Sequence, residues 1–496
     1  MTVEQFDLVV IGAGPAGEKG AAQAAYFGKR VCLVERAPRP GGAAVNTGTI
    51  PSKTLRETAL ALTGLRHRGL YAVDWSIKPN VTIADLMQRE RVVVEAEWQR
   101  IHRNLERHQV YTLQGTARFT GPDTIEVQRH GQEPRVLQAQ AFLIATGARP
   151  ARPAGLPFDD RVIIDSDSIL QLEHIPRRLV VVGGGVIGCE YASIFAALGS
   201  QVTIINSRDR LLEQLDAEAA DALRTAMTER LGITIHSGVE VSACRVENGL
   251  ACTTLSSGVE LWSECVLGAQ GRVGNTEELG CEAAGIERRA RGLLVVDEKY
   301  RTTNSRVFAA GDVIGHPSLA STAMEQARVA MCHAFDLRYK QRLAPILPYA
   351  VWTIPEVAMV GDSEETLRLK GIAYEVARSS FGTNARGLIT GETSGFVKLL
   401  FRPEDQRLLG ASIVGEGAAE MIHVAMTVML LGGTLDFFIQ AVFNYPTLGE
   451  SFKYAAYDGL QRLQRRLGNM PGLRQTPVAS ASVGDRPRAP DTPSQA

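Results

Sequence analysis

Two short apolar runs organise the chain. Residues 6–11 and 179–182 are rich in Val, Leu and Ile. Each stops at a glycine cluster, Gly12-Ala13-Gly14-Pro15-Ala16-Gly17 after the first and Gly183-Gly184-Gly185-Val186-Ile187-Gly188 after the second. An alanine-rich helical pattern continues from the first cluster to about residue 28, so the pattern predicts strand, glycine turn and helix. In such a turn the first glycine permits the sharp reversal and the second lets a pyrophosphate approach the backbone. The third lets helix and strand pack closely, with the helix N-terminus facing the phosphates. A further apolar run, 31–34, ends in Glu35, and the matching strand after the second cluster ends at Asn206. Both lie 23 residues beyond the first glycine of their unit (35 − 12 and 206 − 183). Two accidents would not share a register, so the repeat predicts two Rossmann-like units, each holding a dinucleotide.

The two strand ends differ in charge. A carboxylate there accepts hydrogen bonds from a ribose diol and repels a 2′-phosphate, so Glu35 suits a dinucleotide lacking that phosphate. Asn206 is neutral and is followed by Arg208 and Arg210, which can attract a phosphate through charge-assisted hydrogen bonds. The second unit is therefore expected to take NADP(H), and also NAD(H), since Asn206 can bond a free ribose hydroxyl. Solvated loop charge is the competing reading of the two arginines.

From about residue 345 the pattern changes to strand-like runs at 396–401 and 411–414 with an apolar helix from about 416 to 431. From about 468 to 496 the sequence turns to Pro, Ser, Ala, Arg and Asp without periodicity, as expected of a disordered tail. The 496 residues are too many for one core and fit about three domains. Lys and Arg number 53 against 54 Asp and Glu, so no global field draws the chain to nucleic acid or to an anionic membrane. No apolar run approaches the ~20 residues that span a bilayer. The N-terminus lacks the basic start of a signal peptide, and a cytoplasmic location is expected. The seven cysteines are scattered singly, without a Cys-x-x-Cys pair, which argues against a metal centre and a disulfide framework.

Six motifs then carry a family resemblance. The two glycine clusters are joined by Ala145-Thr146-Gly147, Gly271-Arg272-Val273-Gly274-Asn275, Val307-Phe308-Ala309-Ala310-Gly311-Asp312 and Thr353-Ile354-Pro355-Glu356. In this order they resemble the FAD-dependent pyridine nucleotide-disulfide oxidoreductases over roughly residues 5 to 465. Residues 311–321, Phe443-Asn444-Tyr445-Pro446-Thr447 and Thr49 look most like the soluble, Si-specific transhydrogenase branch. The resemblance implies an α/β chain with two Rossmann-like domains and a C-terminal α+β domain. Residues 1–150, completed by 275–344, would bind FAD, and 151–274 would bind NAD(P). Residues 345–467 would form the dimerisation domain of a homodimer.

It also implies roles. Gly12, Gly14, Gly17 and Glu35 would hold the adenosine diphosphate of FAD, and Asp312 its ribityl chain or phosphate. Thr146, Gly147 and Arg272 would complete the cofactor-binding set. Gly183, Gly185, Gly188, Asn206 and Arg208 would hold the nicotinamide dinucleotide. Lys53 would stand near the flavin N5 edge, paired with Glu190, as a fixed cation facing developing negative charge.

The loop Gly41-Gly42-Ala43-Ala44-Val45-Asn46-Thr47-Gly48-Thr49-Ile50-Pro51-Ser52-Lys53 is the departure. In the disulfide reductases the positions of Ala44 and Thr49 are the two cysteines of a redox disulfide. The histidine that serves that dithiol, in a His-Pro-Thr-x-x-Glu run contributed across the dimer, is matched here by Tyr445, with Glu450 retained. Tyrosine, with an ordinary pKa near 10, does not do imidazole's acid-base work at neutral pH. Three replacements thus remove the dithiol and its acid while the nucleotide motifs remain. The expectation is ping-pong hydride exchange between NADPH and NAD through FAD. An NAD(P)H:quinone or oxygen reductase and a vestigial flavin-binding regulator are the alternatives.

Overall fold

The computed structural model describes residues 3–67 and 82–468, so nearly all of the expected tail lies outside the described residues. Strand Val3–Ile11 is the centre of the first unit. Its first three residues are exposed or half-buried and its last four are all buried, as expected where helices come to cover both faces of a parallel sheet. Val31–Glu35 lies parallel on one side and Gln132–Ile144 parallel on the other. Tyr111–Gln114 extends the sheet beyond Val31–Glu35. Thr116–Gly121 and Thr124–Arg129 form an antiparallel meander with the first half of Gln132–Ile144. The second half of that long strand pairs in parallel with Val307–Ala309, which brings the chain back to the first unit after the second has been built.

The second unit repeats the scheme. Arg178–Val182 is central in a five-stranded parallel sheet, between Gln201–Asn206 and Cys265–Gly268. The C-terminal domain is an antiparallel sheet in the order Tyr349–Val351, Val357–Gly361, Leu408–Val414, Phe396–Phe401, Glu375–Ser380. Its core includes Phe381, Phe401 and the stacked rings of Phe438 and Phe452. Leu431, Val442 and Tyr445 stand largely in solvent on this domain.

Helix ends differ from the periodic pattern for identifiable reasons. The first helix is Pro15–Tyr26, and Gly28 at φ 75° turns the chain out of it. The apolar helix is Ala418–Leu430, because Gly415 and Gly417 are left-handed and the helix starts only after them.

One buried ionic cluster joins the second unit to the C-terminal domain. Lys398, 1% exposed, donates to Asp216 Oδ1 at 2.8 Å and Oδ2 at 3.0 Å, and to Glu364 Oε1 at 2.6 Å. Asp216 also accepts from Ala219 N–H, capping the helix Ala217–Glu229. Among the described residues no helix is long and apolar enough to cross a membrane.

Candidate active site

The two glycine turns are built alike. Gly12 N–H donates to Val34 O and Gly183 N–H to Ile205 O, each at 2.8 Å. Their φ angles are 101° and 122°, and a Cβ would come within 2.5 Å of Ala145 O in the first and 2.4 Å of Ala269 O in the second. Gly17 and Gly188 lie where helix crosses turn, and a Cβ there would sit 1.8 Å from Gly12 O and 1.9 Å from Gly183 O. These four glycines are required by the chain itself.

Gly14 and Gly185 are different. Their backbones are ordinary extended ones (φ −71° and −83°). A Cβ would meet nothing nearer than 3.7 Å at Gly14 and nothing within 4 Å at Gly185. The open space fits a group from outside the chain. The helices beginning at Pro15 and Val186 take no side-chain cap, which leaves their N-termini for an anion.

The strand ends diverge as their sequences do. Glu35 Oε2 accepts from Ala13 N–H at 2.7 Å and Oε1 from Ala37 N–H at 2.8 Å, which fixes the carboxylate and leaves it further acceptor capacity. Asn206 is buried, and its NH2 donates to Arg208 O at 2.7 Å and Arg210 O at 3.1 Å. Its amide thus shapes the basic loop, leaving Oδ1 as the acceptor. Arg208 is exposed and pairs with Glu213 at 2.8 Å, while Arg210 Nε is shielded and has no hydrogen-bond partner among the described residues.

A cavity of about 1250 Å³ runs between the two units and the C-terminal domain. Gly12, Gly14, Glu35, Thr146, Gly147, Arg272 and Asp312 line it, as do Ala44, Thr49, Lys53 and Glu190. Gly17, Gly183, Gly185, Gly188, Asn206, Arg208, Tyr445 and Glu450 do not. Arg272 Nε lies 3.6 Å from Asp312 Oδ2. Burial pushes the Asp312 carboxyl above the ordinary range, and Arg272 opposes that.

Lys53 Nζ meets Glu190 Oε2 at 2.6 Å, across 137 positions of sequence. Lys53 is the fifth residue of the helix Thr49–His67 and Glu190 stands on Val186–Ala197, so the pair bridges the two units. Glu190 Oε1 accepts from the Trp352 N–H of the C-terminal domain at 2.8 Å. No side-chain pattern signals a backbone donor, and this contact is beyond sequence reasoning. Tyr349, Trp352 and His423 also line the cavity and were not singled out by their motifs.

The loop is folded tightly around its missing sulfurs. Ala44 lies in the short helix Gly42–Asn46 and Thr49 opens the next helix. Thr47 and Gly48 N–H both donate to Ala43 O, at 3.0 and 2.6 Å. Asn46 Oδ1 accepts from Trp98 Nε1–H at 2.9 Å, and Arg39 stacks on the Trp98 ring at 3.5 Å. All seven cysteines are free and none lines the cavity. Burial pushes the thiols of Cys32, Cys189 and Cys265 up to about 12.

The family model described as pyridine nucleotide-disulphide oxidoreductase matches residues 6–327, and that family's dimerisation domain matches 347–456. The chain belongs to this family. The oxidoreductase is 42% identical over 463 residues to the soluble pyridine nucleotide transhydrogenase of Mycobacterium bovis (strain BCG / Pasteur 1173P2), covering 93% of this chain and 98% of the relative. With the protein of the same description from Chromohalobacter salexigens it shares 40% identity over 470 residues, 93% of this chain and 100% of that one. The fold matches LpdA from Mycobacterium tuberculosis at a TM-score of 0.83 and 27% identity, over 94% of this chain and 99% of that one. It matches the HOCl-induced flavoprotein disulfide reductase RclA of Escherichia coli, in its Cu(II) complex, at 0.82 and 27%, over 92% and 99%.

This oxidoreductase is a flavoprotein by family, and its residues fit FAD. Thr146 Oγ1, shielded from solvent, has no hydrogen-bond partner among the described residues. Gly14 leaves an open cradle at an uncapped helix end, and Glu35 is preset by two backbone donors.

Proposed function

We propose that the protein is a soluble pyridine nucleotide transhydrogenase that moves hydride between NADPH and NAD at one site, through FAD and without a redox disulfide. The observation that carries this reading is the Lys53–Glu190 pair lining a cavity that contains no cysteine, with Ala44 and Thr49 where a dithiol would stand. FAD, when bound, supplies a carrier that takes a hydride from one nicotinamide and yields it to another. The chain supplies position and charge. Gly12, Gly14, Gly17 and Glu35 would hold the adenosine diphosphate, Thr146 would donate its free hydroxyl, and Asp312 with Arg272 would hold the polar chain.

Lys53 would present a fixed cation where negative charge grows during transfer, and Glu190, pinned by Trp352, would keep that cation from wandering. Gly185 would meet the pyrophosphate of NAD(P)(H), in a turn that Gly183 and Gly188 make possible. Asn206 and Arg208 would face the ribose and accept it with or without a 2′-phosphate. Tyr445, 74% exposed on the single chain, and Glu450 would complete the partner's site in a homodimer, a role the dimerisation domain supports.

The lining also includes Val186, Ile187, Pro348 and Trp352. This apolar approach supports NAD(P)H:quinone or oxygen reduction as the second reading.

The test is anaerobic. NADPH is mixed with the FAD-loaded protein and followed by thio-NAD, which absorbs at its own wavelength when reduced. Transhydrogenation predicts loss of the flavin's visible absorbance, then its return with stoichiometric reduction of thio-NAD. Electrons recovered only by quinone or oxygen would replace this reading with the second one. No loss of absorbance would leave a vestigial flavin-binding protein.

A further inference from the structure

The Lys53–Glu190 pair is closed into a ring by a residue that no motif named. Arg56 stands on the Lys53 helix, three positions further along and so on nearly the same face. It is 3% exposed. Its Nε donates to Thr353 O at 3.0 Å, and its Nη2 lies 3.0 Å from Glu356 Oε1. Thr353 follows Trp352, whose N–H holds Glu190 Oε1 at 2.8 Å, and Glu190 Oε2 holds Lys53. The circuit runs from Lys53 to Glu190, to the Trp352–Thr353 backbone, to Arg56, and along one helical turn back to Lys53. Each of the three parts of the molecule contributes one link. The second unit is also tied to the segment by Ile354 N–H, which donates to Ser193 Oγ at 3.2 Å. Glu356 in turn accepts from Ala419 N–H at 3.2 Å.

We infer that Arg56 is a positioning residue for hydride transfer: its forked guanidinium locks the segment 352–356 against the Lys53 helix and so sets the distance and direction of the Lys53 ammonium. A planar fork can bond the Thr353 carbonyl and the Glu356 carboxylate at once, whereas a lysine is a point charge that cannot hold both directions. Arg56 does not line the cavity, so its effect on the reacting atoms passes through Lys53. The inference rests on the reading of Lys53 given above.

The experiment compares Arg56→Lys, Lys53→Met and the double variant in the FAD-loaded protein. Stopped-flow mixing with NADPH gives a limiting rate and an apparent Kd, and hydrogen exchange reports the Trp352 amide without any turnover. Arg56→Lys is expected to lower the limiting rate roughly ten- to a hundred-fold, the range that misplacement by about 1 Å costs. FAD content and apparent Kd should stay within about two-fold, while the Trp352 amide exchanges faster than in the wild type. The double variant should be no slower than Lys53→Met alone, since coupled residues acting through one group are not additive.

A limiting rate within two-fold of the wild type, or rate losses that multiply in the double variant, would overturn the inference. If Lys53→Met itself reduces normally, the reading of Lys53 fails. If Lys53→Met is slow and Arg56→Lys is normal, only the inference fails. Glu356→Gln keeps Arg56 but weakens its anchor, so it serves if Arg56→Lys does not fold. It should produce the same faster exchange at Trp352 and slower limiting rate, and wild-type values for both would likewise overturn the inference.

Discussion

Replacing Gly185 by Ala separates a glycine kept for a ligand from one kept for the fold. The Gly185 backbone sits at φ −83°, which alanine adopts without strain, and a Cβ there meets nothing within 4 Å. Stability should therefore hold or rise by less than about 1 kcal/mol. If a pyrophosphate lies against this turn, the methyl occupies its approach and disrupts one or two charge-assisted hydrogen bonds worth about 1.5–3 kcal/mol each. That corresponds to roughly 10- to 100-fold weaker binding, or more, for NADH and NADPH alike.

Gly188→Ala is the matched control. Its Cβ would sit 1.9 Å from Gly183 O, so helix and strand must separate by about 1 Å or more, at an overpacking cost of about 1–3 kcal/mol or higher. The better helix propensity of alanine offsets at most about 1 kcal/mol of it. Calorimetric titration of the FAD-loaded proteins, with thermal melts and FAD content, reads both effects. Gly185→Ala should keep FAD and Tm and lose nucleotide affinity, while Gly188→Ala should melt several degrees lower. A Gly185→Ala protein that binds both nucleotides like the wild type would refute the assignment of this turn to the pyrophosphate.

Two further outcomes follow from charge. Glu213→Gln frees exposed Arg208 from its 2.8 Å partner. With surface pairs worth about 0.2–1 kcal/mol, NADPH should bind about two- to five-fold tighter and NADH unchanged, and equal changes in the two titrations would count against Arg208 meeting the 2′-phosphate. Cys32, Cys189 and Cys265 are raised from 9.0 to about 12 in the folded protein. Above pH 9 the unfolded chain loses these protons first, so their contribution is complete below pH 9 and is lost as pH rises toward 12. The urea midpoint should fall as pH rises from 9 toward 12, more steeply in the wild type than in Cys189→Ala; parallel pH profiles would refute this role for Cys189.

What could be read from the sequence was whatever repeats or works locally. The glycine turns were legible because Gly17 and Gly188 are demanded by the carbonyls of Gly12 and Gly183 in the same turn, although what demands Gly12 and Gly183, the carbonyls of Ala145 and Ala269, lies far along the chain. Glu35 and Asn206 were legible as strand ends at equal spacing. Strand 396–401 was read in full, since its apolar run coincides with Phe396–Phe401. The Lys53–Glu190 pair came from family resemblance alone, because nothing local joins residues 137 positions apart. Arg56 and Trp352 stayed invisible for a related reason. Arg56 reads as one more charge on a polar helix, and Trp352 acts through its backbone. Asn206 was legible as neutral, but its grip on the Arg208 and Arg210 carbonyls depends on a loop conformation that spacing does not encode.

The Lys398 cluster bears on turnover. It joins the start of a second-unit helix, at Asp216, to the C-terminal domain, at Glu364, through a lysine 1% exposed. Sliding these parts by an ångström or two would leave buried charges without partners, at about 3–5 kcal/mol. Such a clasp keeps the two walls of the cleft from parting easily, so nucleotides would come and go through a standing doorway rather than a closing clamp. Under the proposed exchange of one nucleotide for another at the same seat, residence time would then be governed by how firmly each grips the cleft, and not by the tempo of a lid.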